Sequence, residues 1–335
     1  MLELNNVSRS TAKDPVLVRA SFVCPVDTPT SVLGLSASGR EVLLGLLAGA
    51  DRPQTGTIRL GGHDTSDVRR SRGAIVRVSS YGVKPSGRPV GKVIGAEDAR
   101  RAGLSDRLGT AIKDLDLEQR LRLGIAMARA AKSQLILLNA PAMELGGEAR
   151  ERFAANLGEM LWGANAVVVL AAGAPDEAHG LGGNAAVLER GSVIQSGLAA
   201  DVFAHPANLA AALATSHPAL NTLGMTARDG VGVLFDGSTF QPPDGVMLPG
   251  AGACTLAFRP MDTTLERSGA NCLRFVVRAG GEEEVGGKKF LRLAFAGSSW
   301  LAPQLAVNPP QGAVLNAFID RSRLMVFDGE GKVLA

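Results

Sequence analysis

Gly34-Leu35-Ser36-Ala37-Ser38-Gly39-Arg40-Glu41 follows the apolar pair Val32-Leu33 and precedes the apolar run 42–49. This order is typical of a strand, a glycine-bearing loop and a helix. The spacing of the two glycines is that of a phosphate-binding loop, G-x-x-x-x-G-K-[ST], in which backbone N–H groups and the helix N-terminus hold phosphate. Arg40 stands where the motif has its lysine, and Glu41 where it has the hydroxyl that holds Mg²⁺. We therefore interpret 34–41 as a phosphate loop without its usual side-chain chemistry.

Composition limits the class of protein. The chain has 335 residues, 46% hydrophobic, with a net charge of +3, which is enough for two domains with sizeable cores. Because no Lys/Arg block stands out, we expect no nucleic-acid partner. The three cysteines are far apart and indicate reduced thiols. Since residues 1–6 do not have the pattern of a signal peptide and no apolar run approaches about 20 residues, we expect any membrane association to go through a partner.

The first part of the chain, 1–224, predicts an α/β domain with a mainly parallel sheet. Strands and helices alternate after an antiparallel β region, and two continuous apolar strands have the pattern of burial on both faces. The predicted segments are antiparallel β at 1–32, a mostly helical region at 90–133, a strand at 134–139, a helix at 147–161, a strand at 166–171 and a hairpin at 185–197 with its turn at Arg190-Gly191.

The second part, 225–335, changes character. Gly/Pro-rich turns separate short alternating runs such as Leu273-Arg274-Phe275-Val276-Val277 and Phe290-Leu291-Arg292-Leu293-Ala294-Phe295. This pattern predicts an all-β barrel or sandwich. A helix at 199–214 and the segment up to 224 are expected to connect the two domains.

Several stretches carry a resemblance to a known family. They are Met1-Leu2-Glu3-Leu4-Asn5-Asn6-Val7-Ser8, Leu46-Leu47-Ala48-Gly49-Ala50-Asp51-Arg52-Pro53-Gln54-Thr55-Gly56, Asp201-Val202-Phe203-Ala204-His205-Pro206-Ala207-Asn208 and Leu256-Ala257-Phe258-Arg259-Pro260. The chain resembles an ATP-binding cassette (ABC) subunit of the carbohydrate-importer class along its whole length. Ala174-Pro175-Asp176-Glu177-Ala178, Leu181-Gly182-Gly183 and Pro218-Ala219-Leu220-Asn221-Thr222 are most similar to subunits of glycerol importers. The resemblance implies a P-loop nucleotide-binding domain with a shortened helical subdomain at 90–133. It also implies a small C-terminal OB/TOBE-like β-barrel for regulation or dimerisation.

The departures from this family fall on its working residues. This chain has Ser79 where the family has the glutamine that senses the γ-phosphate, and Asn139 where it has the aspartate that supports Mg²⁺. It has Ala140 in place of the catalytic glutamate and Gly173 in place of the switch histidine. The signature L-S-G-G-Q corresponds to Leu115-Asp116-Leu117-Glu118-Gln119, and no aromatic stands near Thr11, where one would stack on adenine. Phosphoryl transfer needs a metal, a cation and an oriented water. We therefore expect that the chain has no catalytic residue, that its own site holds no Mg²⁺, and that it binds ATP weakly or not at all.

Three functions remain open from the sequence. The first is a non-hydrolysing subunit that pairs with a catalytic ABC ATPase and contacts the coupling helix of a transmembrane permease near Tyr81, peripheral at the cytoplasmic face of the inner membrane. The second is an active ATPase in which Arg40 and another carboxylate compensate. The third is a soluble regulatory scaffold.

For some individual residues the sequence allows two interpretations. Glu41 either fills the anion position of the loop or faces solvent from the first helical turn. Asp116 and Glu118 either form a solvated helix N-terminus or an acid–base pair. Tyr81 either anchors a partner helix or is a core or rim aromatic without a partner.

Overall fold

The computed structural model describes residues 1–10, 15–65, 74–266, 269 and 271–334. Two compact units divide the chain, Met1–His205 and Pro206–Ala335, and each is described by itself. Among the described helices, none is both long enough and apolar enough to cross a membrane.

The first unit contains two sheets and several helices. Its strands are β1 (Leu2–Ser10), β2 (Pro15–Cys24), β3 (Thr30–Gly34), β4 (Thr55–Leu60), β5 (His63–Asp64), β6 (Ile75–Ser79), β7 (Leu135–Asn139), β8 (Val167–Ala171), β9 (Asn184–Glu189) and β10 (Ser192–Leu198). Its helices are α1 (Arg40–Leu47), α2 (Ala96–Arg101), α3 (Leu117–Ala130), α4 (Gly147–Leu161), α5 (Pro175–Leu181) and α6 (Ala199–Ala204).

The larger sheet has six strands in the order β10-β9-β3-β8-β7-β6. All neighbours pair in parallel except β10, which returns antiparallel to β9 through the predicted turn at Arg190-Gly191. A second, antiparallel sheet has the order β2-β1-β4-β5. The predicted mainly parallel α/β sheet is therefore present, and strand β3, which leads into the phosphate loop, lies near its centre.

Helix α1 lies in the main core of this unit. Its four leucines, Leu43, Leu44, Leu46 and Leu47, are fully buried and pack in one cluster with side chains of both sheets. Burial of apolar area at about 25 cal/mol per Å² makes this packing the main term that holds the helix in place. The loop before α1 is thus attached to a rigid body.

The region 90–133 is less helical than predicted. A short 3₁₀ turn at Val90–Lys92 precedes α2, and two more at Ser105–Arg107 and Ile112–Asp114 join α2 to α3. Glycines at 95, 103 and 109 interrupt regular helix, because glycine costs about 1 kcal/mol relative to alanine in a helix interior. A separate small core that includes Leu104 and Leu123 holds the region together.

The predicted helix at 199–214 is two helices that belong to different units. Helix α6 ends before His205-Pro206, and α7 (Leu209–Thr215) begins in the second unit with Asn208 as its cap. A proline cannot continue a helix and restricts the residue before it, so the chain breaks at 205–206. The observed division therefore lies earlier than the predicted boundary at 224/225. Helix α7 packs with residues of the second unit such as Leu220 and Phe327.

The second unit is antiparallel, as predicted. Its strands are β11 (Asn221–Arg228), β12 (Val231–Leu234), β13 (Thr239–Phe240), β14 (Ala251–Phe258), β15 (Thr263–Thr264), β16 (Cys272–Val285), β17 (Lys288–Phe295), β18 (Ser298–Pro303), β19 (Val314–Asp320) and β20 (Met325–Asp328). In the described residues they form two five-stranded sheets, β13-β12-β11-β14-β20 and β15-β19-β16-β17-β18, rather than one closed barrel sheet.

Both sheets of the second unit share one hydrophobic core. Trp300 is fully buried there, and its ring lies 5.0 to 5.1 Å from those of Phe258, Phe275 and Phe295. Asn221 joins the sheets: its amide donates to the Leu301 carbonyl and accepts from the Leu301 N–H, both at 2.8 Å. The Asn221 side chain thereby satisfies the N–H and the carbonyl of Leu301 on the edge strand β18. In a closed barrel another strand would satisfy these two groups.

Candidate functional site

The carboxyl ends of the parallel strands bring the predicted positions together. Ser79 and Asn139 are register partners at the ends of β6 and β7, and Asn139 pairs with Ala171 at the end of β8. Ligands of open α/β sheets bind in the crevice at this edge. The predicted cluster of Ser79, Asn139, Ala140, Gly173 and the loop 34–41 is therefore one site in space.

Positive φ angles determine the backbone of the loop 34–41. Gly39 has a φ of +97°, and a Cβ atom there would lie 2.4 Å from the Val16 carbonyl oxygen, so this position requires glycine. Ser38 is buried and its N–H donates to the Leu35 carbonyl at 3.2 Å, whereas Ser36 is exposed. Ala37 has a φ of +60°, a left-handed conformation that costs a non-glycine residue about 1–2 kcal/mol.

Arg40 points across the site to the neighbouring strand. Its Nη1 donates to the carbonyl oxygen of Ala172, directly after β8. The side chain is half-buried, and burial lowers the pKa of the guanidinium, while Glu41 and Glu177 act in the opposite direction. A guanidinium stays protonated at neutral pH even so. Arg40 therefore joins the start of α1 to the end of β8.

Glu41 faces solvent from the first turn of α1, as the second of its two readings had it. Its side chain is 73% exposed and its Oε2 lies 3.5 Å from Nη2 of Arg77 on β6. With the Asn139 amide oriented to satisfy both neighbours, its nitrogen donates to Glu41 Oε1 at 3.0 Å and its oxygen accepts from Arg77 Nη2 at 2.7 Å. We call these three side chains the Glu41–Asn139–Arg77 network.

The positions of the catalytic glutamate and the switch histidine face each other. A Cβ atom at Gly173 would lie 2.9 Å from the Ala140 Cβ, so any larger residue at 173 has to displace its neighbour. Glu177 lies beneath, fully buried, and accepts from the N–H groups of Gly173 at 2.5 Å and Ala142 at 2.7 Å. Burial raises the pKa of Glu177, against the two backbone hydrogen bonds that lower it. Glu177 thus fixes the two loops on either side of the Ala140–Gly173 contact.

Asp116 and Glu118 are not an acid–base pair. Asp116 is the N-cap of α3: its carboxylate accepts from the Gln119 N–H at 2.8 Å, and the Gln119 side chain accepts from the Asp116 N–H at 3.1 Å. Glu118 is only 15% exposed and forms ion pairs with Arg122 at 2.7 Å and Arg152 at 3.3 Å. The first carboxylate therefore closes the helix N-terminus, and the second is a paired structural group rather than a solvated one.

Tyr81 lies on the loop after β6, where its side chain is 70% exposed. This loop packs against the start of α3, with the Val83 N–H donating to the Arg120 carbonyl at 3.3 Å. This exposure excludes the interpretation of Tyr81 as a core aromatic, and its ring is accessible to a partner. Thr11, near which the family would have an adenine-stacking aromatic and this sequence has none, lies outside the described residues.

The residues at the sheet edge do not fit a magnesium-bound triphosphate. Mg²⁺ prefers carboxylate, carbonyl and water oxygens, but the Asn139 amide nitrogen and the Arg77 guanidinium occupy the surroundings of the Glu41 carboxylate. The Glu177 carboxylate is buried and bonds to two backbone N–H groups. Within the part of the chain that the structure describes, no group of three or more His, Cys, Asp or Glu side chains is placed to hold a metal ion.

Three residues of this site were not predicted from the sequence as site residues: Arg77, Ala172 and Glu177. Arg77 is a single charged residue within the apolar strand β6, which was the available signal. Ala172 contributes only a backbone carbonyl, and such a contact has no sequence signature.

The sequence of this chain is similar to those of several known proteins. No family model matches the chain. The sulfate/thiosulfate import ATP-binding protein CysA of Mycobacterium tuberculosis (strain ATCC 25618 / H37Rv) is 32% identical over 209 residues, 57% of this chain and 60% of that protein. The Fe(3+) ions import ATP-binding protein FbpC of Escherichia coli O157:H7 is 23% identical over 294 residues, 83% of each chain. The methionine import ATP-binding protein MetN of Caulobacter vibrioides (strain ATCC 19089 / CIP 103742 / CB 15) is 26% identical over 232 residues, 62% of this chain and 70% of that protein.

Solved structures show the same fold. The cbiO1 protein of Clostridium perfringens, part of the ABC transporter complex cbiONQ, is similar with a TM-score of 0.54 and 18% identity over 61% of this chain and 90% of that one. An ATP-binding subunit of an ABC transporter is similar with a TM-score of 0.50 and 18% identity, covering 60% of this chain and 91% of that one.

The fold is that of an ABC ATPase nucleotide-binding domain. The chain is similar in sequence to ATP-binding subunits of importers, and its match spans 60% of the length of CysA.

Proposed function

We propose that the chain is a non-hydrolysing ATP-binding-cassette subunit of a membrane importer, acting as the structural partner of a catalytic ATPase subunit. One observation carries this proposal: Ala140 and Gly173 face each other, so position 140 offers no carboxylate and position 173 no imidazole, and a Cβ atom at 173 would lie 2.9 Å from the Ala140 Cβ. The nearby Glu177 carboxylate is fully buried and bonds to the N–H groups of Gly173 and Ala142. ATP hydrolysis needs a group that orients water at this edge of the sheet.

The other losses act on the same reaction. Asn139 and Glu41 bond to one another, and Arg40 bonds to a backbone carbonyl. Arginine is also not equivalent to the compact charge of lysine. Because metal binding, charge stabilisation and water activation contribute to one transition state, the remaining groups do not compensate for one another.

The partners in this proposal are a catalytic ABC ATPase subunit and a transmembrane permease at the cytoplasmic face of the inner membrane. In such a heterodimer each nucleotide site combines one phosphate loop with the opposite signature. The site built on the partner's phosphate loop loses only the signature contacts of this chain, so ATP turnover is assigned to that site. The exposed ring of Tyr81 is the proposed contact for the coupling helix.

The proposed cargo is glycerol or a related polyol or sugar. This assignment rests on the resemblance of 174–178, 181–183 and 218–222 to subunits of glycerol importers. The relatives named above import sulfate or thiosulfate, iron and methionine, so uptake assays with labelled glycerol, sulfate and methionine in a strain lacking this chain test the cargo directly. Loss of glycerol uptake alone is the expected result.

The central experiment measures ATP hydrolysis by the purified chain and by its membrane complex. We expect background turnover for the chain, abolished turnover when the partner's catalytic glutamate is replaced, and little change for Ala140→Glu in this chain. Turnover by the purified chain favours an active ATPase instead. A chain that does not purify with membrane subunits favours a soluble scaffold.

A further inference from the structure

We infer that the chain's own side chains occupy the surroundings of the metal position, that Arg40 is turned away from the centre of the phosphate loop, and that the loop is held in its folded shape without nucleotide. This inference rests on the proposed function but concerns the conformation of the loop rather than catalysis. Two independent contacts carry it, the Arg40 contact with Ala172 and the Glu41–Asn139–Arg77 network.

The first contact joins α1 to β8. Arg40 is the first residue of α1, and the carbonyl it bonds belongs to Ala172, whose N–H donates to Val32 of β3 at 3.1 Å. The guanidinium is half-buried, so releasing the carbonyl without another acceptor would leave a poorly hydrated charge. In this state the Arg40 guanidinium is directed at the backbone of Ala172 and not at the centre of the phosphate loop.

The second contact replaces a metal with a hydrogen bond. A hydroxyl at 41 and a carboxylate at 139 would both offer oxygen ligands to Mg²⁺. Here the larger carboxylate stands on α1 and an amide on β7, and the two bond directly at 3.0 Å. The two substitutions are complementary in size and in donor–acceptor character, so together they form one contact instead of two separate losses.

Arg77 completes the network. It donates to the Asn139 oxygen at 2.7 Å and lies 3.5 Å from the Glu41 carboxylate. Its positive charge stands beside the only carboxylate of the network and opposes a divalent cation there. Three structural segments, the start of α1 and the ends of β6 and β7, are therefore joined without a ligand.

The first test uses Mn²⁺ as a probe, followed by electron paramagnetic resonance of the full chain, alone and with a non-hydrolysable ATP analogue. We expect no saturable site in the natural chain. The double variant Glu41→Ser/Asn139→Asp restores two oxygen ligands and should bind Mn²⁺ with the analogue at least about tenfold more tightly. The matched control is Glu159→Ser/Asn156→Asp on helix α4, which changes the same residue types outside the site and should bind no better than the natural chain.

The second test measures amide hydrogen exchange without nucleotide. Arg40→Ala should accelerate exchange in peptides that contain Ala172 and Gly173 by about tenfold, and leave the β9–β10 hairpin unchanged. If that variant does not fold, Arg40→Gln, which keeps a donor of shorter reach, is measured in its place.

Two results would overturn the inference: saturable Mn²⁺ binding at this loop in the natural chain, or a folded double variant that gains none. Unchanged exchange at Ala172 in a folded Arg40 variant also contradicts it. ATP hydrolysis by the partner and by this chain is measured separately, so the proposed function can fail while this inference stands, and the reverse.

Discussion

Glu177 is a carboxylate that the fold shields fully from water. It is fully buried, accepts two backbone hydrogen bonds, and has its pKa raised by that burial. The contacts hold the loops after β7 and β8 at a fixed distance, which is why Ala140 and Gly173 meet. At this scale a buried carboxylate sets the geometry of the site through its two backbone hydrogen bonds.

The raised pKa makes stability depend on pH. A carboxyl that binds its proton more tightly in the folded state contributes stability below its unfolded pKa of about 4.5, and this contribution is lost as pH rises through the folded value. The free energy of unfolding of the natural chain, minus that of Glu177→Gln, should therefore fall as pH increases from about 4.5. Urea unfolding at several pH values measures this difference. For the exposed control Glu159→Gln, the same difference in the free energy of unfolding should not change with pH. A difference for Glu177→Gln that rises with pH would contradict a raised pKa of Glu177.

Helix α3 shows how an element takes its shape from a few polar residues. Asp116 and Gln119 form a reciprocal pair at its first turn, and Glu118 bonds to Arg122 one turn further on. These contacts close an end that would otherwise present free N–H groups to an anion. In the second unit, Asn221 plays a comparable part by satisfying the edge of β18.

The cap of α3 can be tested by replacing its carboxylate. Asp116→Ala removes the hydrogen bond that the carboxylate accepts from the Gln119 N–H and keeps the one that the backbone N–H of residue 116 donates to the Gln119 side chain. The free energy of unfolding should therefore fall by about 1 kcal/mol. The control Asp114→Ala lies two residues before the N-cap and should change the value by less than about 0.5 kcal/mol. Equal effects of the two variants would show that the cap does not stabilise α3.

The Asn221 contact predicts a larger effect. Asn221→Ala leaves the N–H and carbonyl of Leu301 unpaired at a buried edge, and two such groups cost about 3 kcal/mol together. Chemical denaturation monitored by the fluorescence of Trp300, the adjacent residue, measures the loss. Asn156→Ala, on helix α4, serves as control with an expected change within about 0.5 kcal/mol. A loss at Asn221 no larger than at Asn156 would contradict the joining role.

At the scale of the whole molecule, each unit has its own core and its own polar contacts. The first unit has the nucleotide-binding fold, and the second is antiparallel with Trp300 at its centre. In the proposed function the chain contributes contact surfaces to a complex, and the exposed aromatic Tyr81 next to α3 is the proposed one.

Replacing that aromatic tests the proposed contact with a permease. Tyr81→Ala should lower the amount of membrane subunit that purifies with the chain by at least about tenfold, because interface aromatics carry much of a binding energy. Trp162→Ala is the matched control, since its side chain is exposed to a similar degree, 73% against 70%, and it should purify with the partner normally. Unfolding measurements on both variants exclude misfolding, and equal retention of the partner would remove Tyr81 from the interface.

The sequence predicted the fold well where local patterns decide it. Apolar runs predicted β7 and β8, and the turn at Arg190-Gly191 was correct, because alternation and turn chemistry act over a few residues. Where packing decides, the predictions differed from the structure. The helix at 199–214 is broken at Pro206. For 225–335 the sequence left a barrel and a sandwich open, and the described residues form two five-stranded sheets.

By itself the sequence determined which functional groups are present at the ends of the parallel strands, because residue type and strand position follow from the order of residues. Only the tertiary structure decided what those groups bond to. Arg40 is 132 residues from Ala172, and Glu41 is 98 residues from Asn139. Hydrogen bonds require contact within about 3 Å, and such distances between remote residues are set by the packing of the sheet around α1, which no local pattern specifies.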